Sequence, residues 1–314
     1  MTGIFDLHCD TLTRNHYAPF KDTENTLDNP EFQLALSKVP AGTDWVQCFA
    51  IFVPDDIRGQ EAVKFVDRYV ESFRRQAEAH QDRMMACRSG WNMAAAIAAG
   101  KTAGILTVEG GAALAGRLER VQTLYNQGVR MMTLTWNGPN ELASGHDTED
   151  GFTPFGKDAV AEMERLSILV DASHLNDRGF EELLGFAKKP FVVSHSNARE
   201  ICGHYRNLPD EYITEVVRRE GLIGLNYCNA FLADNLCGDM EHLGRHVWHF
   251  LELGAEKCLA LGSDYDGAGM HADLDSVEKS LNIHSYLTSH GVPEETADDI
   301  CFNNAWRFFQ KWMG

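Results

Sequence analysis

Eight short apolar runs, nearly all followed by an amphipathic stretch, constrain this chain more than any other feature. The runs fall at residues 4–8, 45–53, 102–108, 130–135, 167–172, 191–194, 222–226 and 259–263. They are rich in Val, Ile, Leu and Phe, as strands buried on both faces should be. Helical periodicity appears between them, at 62–83, 118–126, 159–166, 177–187, 209–219 and 243–253. Pro209 followed by acidic residues makes a sound helix start, and Gly254 a sound helix end. Eight strands alternating with helices predict a closed parallel (β/α)8 barrel of the TIM type rather than an open sheet. A barrel takes roughly 250 residues. The 314 present therefore fit one domain, 1–314, with insertions. The longest gap, 11–44, carries Pro19, Pro30 and Pro40 and reads as an insertion over the barrel mouth. A second loop, 137–154, is rich in Gly, Asn and Asp.

Polar residues are placed as informatively as apolar ones. His8 and Asp10 end the first run, Glu109 the third, His174 the fifth, His195 the sixth, and Asp264 and Asp266 the eighth. In a parallel barrel these ends open on one face, where barrel enzymes keep their chemistry. A single histidine at a strand end is ordinarily a polar loop residue. Five matching strand ends converging on one cup are hard to obtain by chance. Three histidines with several carboxylates make an N/O donor set suited to zinc and poorly suited to calcium.

Other features point elsewhere or nowhere. His242, His246 and His249 share a helix but lack the glutamate of H-E-x-x-H, and read as solvated residues of an outer helix. Gly110-Gly111 belongs to no phosphate loop. Ser194 and Ser196 flank a histidine without a G-x-S-x-G elbow, which disfavours a serine hydrolase. Eight scattered cysteines with no C-x-x-C pair, and a start without a basic and apolar leader, predict reduced thiols and a cytoplasmic protein. A formal charge of −18 excludes nucleic acid as an expected partner. No apolar run approaches a membrane span, so no membrane association is expected.

At these residues the sequence resembles the renal (membrane) dipeptidase family of zinc peptidases, over nearly its whole length. The blocks that carry the resemblance are Asp6-Leu7-His8-Cys9-Asp10, Val108-Glu109-Gly110-Gly111, Asp171-Ala172-Ser173-His174 and Ser194-His195-Ser196-Asn197-Ala198. Arg206-Asn207-Leu208-Pro209-Asp210 and Gly262-Ser263-Asp264-Tyr265-Asp266-Gly267 complete them. The resemblance implies two Zn2+ ions, one held by His8 and Asp10, the other by His174 and His195, with Glu109 bridging. It implies that Arg206 grips the C-terminal carboxylate of a small dipeptide and that Asp264 handles a proton near the substrate amine. It also implies tolerance of a D residue at the C-terminal position, and it is compatible with a homodimer. The alternatives are a two-metal amidohydrolase acting on a non-peptide amide or lactam, and a catalytically impaired relative.

One block departs from the pattern. Where the renal enzymes read Leu-Thr-His, this chain reads Leu134-Thr135-Trp136-Asn137. The family histidine polarises the scissile carbonyl, whereas an indole offers one N–H and cannot titrate. Trp136 is therefore expected to pack over the substrate and narrow the pocket, with His146 a less favoured substitute for the missing donor.

Overall fold

The computed structural model describes residues 3–14 and 26–313. Nine strands run in chain order: β1 (Gly3–Asp6), β2 (Asp44–Phe52), β3 (Met84–Cys87), β4 (Thr102–Glu109), β5 (Val129–Thr133), β6 (Leu169–Asp171), β7 (Val192–Val193), β8 (Leu222–Leu225) and β9 (Leu259–Leu261). All pair in parallel. Eight of them close a ring in the order β1, β2, β4, β5, β6, β7, β8, β9, with β9 returning to β1. These eight lie within or against the eight apolar runs, so the chain folds as the expected TIM-type barrel.

The ninth strand, β3, was not expected. It pairs with the first half of β4, from Met84 against Thr102 to Cys87 against Ile105. β5 takes over that same edge at Leu106. β3 thus lengthens the barrel wall at the end away from the site. It is only four residues long and follows directly on the stretch read as the preceding helix, which ends at Ala79 rather than 83.

Strand alternation divides the core. Phe5, Leu7, Val46, Ile105, Met131 and Ala260 form an inner cluster that also holds Phe308 and Phe309 of the C-terminal helix Asn304–Trp312. Phe309 lies 4.8 Å from the Phe5 ring, and this helix plugs the lower end of the barrel. The intervening strand residues, among them Ile4, Ile51, Val108, Val170 and Val193, pack outward with the surrounding helices.

Part of the 11–44 insertion, including Pro19, lies outside the described residues. The described part is pinned in two places. Gln33 donates its backbone N–H to Asp266 at 2.8 Å beside the site, and Leu27 donates to the Gln76 side chain at 3.0 Å on the helix Gly59–Ala79. The 137–154 loop is tied down by Asn176. Asn176 caps the helix Asp177–Phe186 and donates to the carbonyls of Gly145, Thr148 and Asp150.

The helix Met240–Glu252 corrects one expectation. His246 is fully buried, not solvated. Its Nδ1 accepts the Ala198 N–H at 3.1 Å and its Nε2 lies 3.1 Å from the Leu232 carbonyl. His242 and His249 pair with Asp239 and Asp210. All eight cysteines are free, and no described helix is long and apolar enough to cross a membrane.

Candidate metal centre and substrate pocket

The polar residues at the strand ends converge. Glu109, the last residue of β4, sits at the centre with its two oxygens facing different neighbours. Oε2 lies 3.6 Å from His8 Nε2, while Oε1 lies 2.9 Å from His174 Nε2 and 3.7 Å from His195 Nε2. His8 Nε2 is also 3.7 Å from Asp10 and 3.8 Å from Asp264. Two sets of three donors, His8–Glu109–His195 and His8–Asp10–Asp264, each come within 4.8 Å of one another. All five residues expected to ligate metal are thus brought together. Asp264, expected only to move a proton, stands within reach of the same centre. Gly267 permits this, because a Cβ there would collide with the carboxylates of Asp10 and Asp264.

The hydrogen-bonding of the imidazoles fits a cation. His174 Nδ1 lies 3.2 Å from Asn137 Oδ1, and with that oxygen accepting, the ring keeps its proton on Nδ1 and its Nε2 free. His195 Nδ1 lies 2.7 Å from Ser194 Oγ, whose own proton goes to Asp171 at 2.6 Å. His195 Nε2 is therefore bare as well. These two nitrogens face each other at 2.9 Å, close enough that with both unprotonated they would need a shared cation between them. His8 Nε2 and Asp10 Oδ1 are buried with no hydrogen-bond partner, donors held ready in the same way.

Charge tells the same story. Burial opposes protonation of His8, but Glu109, Asp10 and Asp264 outweigh it and raise its pKa to about 10. Burial and the neighbouring Asp10 push Glu109 well above the usual carboxylate range. Burial, together with the positive charges of His8 and Arg206, holds His174 and His195 well below theirs. Burial, helped by Asp10, raises Asp264 to about 6. The three carboxylates around His8 thus favour a positive charge at this point of the centre, which a bound cation would supply in place of a proton.

Beside this centre opens a cavity of about 520 Å3, in the ordinary range for small ligands. Arg206 lines it from the β7 side. It is buried, its guanidinium reaches Ser196 Oγ at 3.4 Å and the His195 carbonyl at 3.3 Å, and its Nε is unpartnered. Phe231 lies 5.5 Å from its charged carbon. Trp136 forms the opposite wall, edge-on to Phe52 at 4.9 Å. His146 packs 4.9 Å from Tyr205 and lines a separate small cavity behind His174 and Arg206, not the main one.

Two further residues complete this site without having been expected in it. Asn137 orients His174, and Asn226 donates to Asp264 at 3.1 Å. Asn137 follows Trp136 directly, so its place at a strand end was a usable signal. Asn226 ends an expected strand and offered the same one.

The comparisons agree with this architecture. A family model described as membrane dipeptidase (peptidase family M19) matches residues 1–312. A crystal structure of a metallopeptidase described as dipeptidase AC aligns at 26% identity and a TM-score of 0.92, covering 100% of this chain and 99% of that one. A metallopeptidase from Rhodobacter sphaeroides, crystallised with a phosphinate mimic of the dipeptide L-Ala-D-Ala, aligns at 25% identity and 0.91, with the same coverage. An uncharacterised protein of the pqqA 5′ region of Klebsiella pneumoniae is 29% identical over 209 residues, spanning 63% of this chain and 77% of that protein. With the family model spanning the barrel from end to end and every strand-end donor in its cup, this chain belongs to the membrane dipeptidase family, peptidase family M19.

Proposed function

We propose that this protein is a two-zinc dipeptidase that hydrolyses small dipeptides and accepts a D residue at the C-terminal position. The observation that carries the reading is a buried, under-satisfied Arg206 facing one cavity with the Glu109 centre. A cation with free N–H groups beside a metal-binding cluster suits a substrate whose carboxylate lies one residue from the scissile bond. A longer peptide has no carboxylate at that distance. The phosphinate mimic of L-Ala-D-Ala seen in the Rhodobacter relative supports a substrate of the L,D type.

His8 and Asp10 would hold one zinc, His174 and His195 the other, with Glu109 between them. Bound zinc lowers the pKa of coordinated water and polarises a carbonyl. The chain's own groups do the rest. Arg206 fixes the far carboxylate. Asp264, raised to about 6, is poised to accept a proton near neutrality and return it to the leaving amine. Asn226 keeps its carboxylate aimed into the cavity. Trp136 and Phe52 exclude water from one wall and narrow the space for side chains. We place the enzyme in the cytoplasm, with its thiols reduced.

Metal analysis coupled to a panel of L,L and L,D dipeptides tests this reading, with size-exclusion chromatography to distinguish monomer from homodimer. The expected result is up to two zincs per chain, loss of turnover on chelation and recovery on zinc addition. Full activity in a metal-free preparation would sink it. Turnover confined to amides or lactams without a free carboxylate would favour the broader amidohydrolase reading.

A further inference from the structure

A buried aspartate outside the cluster has no part in the mechanism above, yet four donors converge on it. Asp171 ends β6 and is fully buried. Its Oδ1 accepts the backbone N–H groups of Ser173 at 3.0 Å and Ser194 at 2.9 Å. Its Oδ2 accepts the hydroxyls of Thr133 at 2.5 Å and Ser194 at 2.6 Å. Ser194 is itself fixed in place. Gly224 on the adjacent β8 and Gly262 just past β9 leave a notch for its carbonyl, which a Cβ at either position would strike. Because the Ser194 proton is committed to Asp171, its oxygen must accept from His195 Nδ1 at 2.7 Å.

We propose that Asp171 is a positioning residue that, through Ser194, locks His195 in the tautomer with its proton on Nδ1 and its Nε2 free. His195 is the histidine that needs such a lock. The partner of His174 is an amide, which can turn either its oxygen or its nitrogen towards the ring. The partner of His195 is a hydroxyl whose direction is dictated from behind. The significance of the relay for metal binding rests on His195 being a ligand, as proposed above; the relay itself does not.

Asp6 provides the built-in comparison. It ends β1 and grips Ser263 in the same way, through the backbone N–H at 2.8 Å and the hydroxyl at 2.6 Å. The Ser263 oxygen, however, lies against the His8 carbonyl and the Tyr265 N–H, so no imidazole completes that chain. One aspartate holds backbone and the Gln47 side chain and reaches no imidazole. The other splints backbone and sets a tautomer.

Asp171→Asn reverses the relay without changing its shape. The amide must keep its oxygen at the Oδ1 position, where two backbone N–H groups cannot reverse. Its NH2 then faces Ser194 and Thr133, whose hydroxyls become acceptors. The Ser194 proton is released towards its nearer remaining neighbour, His195 Nδ1, rather than Ser173 Oγ at 3.2 Å. His195 must then carry its proton on Nε2.

The test is 15N NMR of histidine-labelled, metal-free protein, followed by zinc titration against a chelator. The wild type is expected to show His195 protonated on Nδ1, Asp171→Asn on Nε2, and Ser194→Ala a mixture of the two. Asp6→Asn should lower thermal stability and leave the His195 tautomer as it was. Zinc affinity should fall about 10- to 100-fold in Asp171→Asn, the usual loss when a ligand's outer partner is removed. An unchanged tautomer in both Asp171→Asn and Ser194→Ala would overturn the relay, whatever zinc does. A reversed tautomer with zinc affinity intact would support the relay and remove His195 from the ligand set.

Discussion

Replacing Arg206 by Met should separate substrates by whether they carry a free carboxylate. Among the described residues the guanidinium has only two hydrogen bonds, at 3.3 and 3.4 Å, both near the limit of useful geometry. Its Nε has none. Burial lowers its pKa despite the nearby Asp264, Glu109 and Asp171 carboxylates, so it carries a desolvation cost. A substrate carboxylate would offset it with charge-assisted hydrogen bonds worth about 1.5–3 kcal/mol. At 1.4 kcal/mol per decade, that is roughly a ten- to hundredfold loss in kcat/KM for a free dipeptide. Methionine keeps an unbranched apolar stem against Phe231, so the barrel should lose no stability when the buried charge goes. The assay compares kcat/KM on one dipeptide and its C-terminal amide, for wild type and variant. The amide should change little, since it has no anion to lose. An equal fall on both would show that Arg206 acts on the metal centre or the fold and does not read the carboxylate.

Trp136→His should reduce turnover of the best wild-type dipeptide and widen the range accepted, because it removes the edge-on contact with Phe52 that closes one wall. A rise in kcat across the whole panel would instead mean that a donor worth about 2.7–4 kcal/mol had been restored. His246 should make the fold acid-sensitive. Burial depresses its pKa to about 4 from an ordinary 6.5, so the unfolded chain takes up a proton that the native protein refuses. Its contribution is whole above pH 6.5 and is lost as pH falls towards 4, on the order of 3 kcal/mol in all. Urea unfolding at pH 7 and pH 5 should show a smaller loss in His246→Gln than in wild type, and equal losses would refute the assignment.

The parts of this molecule that the sequence revealed share a physical cause. A strand covered on both faces must be apolar throughout, so the eight barrel strands stood out as continuous runs. β3 is only four residues long, with its two central positions partly exposed, and it left no such mark. The donors at strand ends were legible because barrel topology alone sends them to one face. Asn137, Ser194 and Asp171 were visible as residues but not as partners, since their roles depend on contacts across three neighbouring strands. The misreading of His246 has the same origin. Histidines spaced along a helix look solvated until the tertiary fold brings the Ala198 N–H and the Leu232 carbonyl to one ring.

The backbone at the cup explains why so many carboxylates sit there without touching a substrate. His174, Asp264 and Asp266 all adopt left-handed conformations, with φ of 70°, 65° and 67°. Each costs on the order of 1 kcal/mol for a residue with a Cβ, although His and Asp tolerate it better than most. A left-handed residue just past a strand turns the chain sharply, so its side chain leaves the pleat and enters the cup. Something must hold that turn. The residue before His174 is Ser173, whose N–H is gripped by Asp171, and the residue before Asp264 is Ser263, whose N–H is gripped by Asp6. Asp266 holds its own turn by accepting from Thr11 and from the backbone of Gln33. Each strained position is thus secured by a buried carboxylate, two of them set back on the strands and one at the turn itself. The acidic excess around this centre therefore divides into two groups with different duties. Asp10, Glu109 and Asp264 surround the His8 imidazole, while Asp6, Asp171 and Asp266, the last at the cavity wall, fix the backbone that presents them.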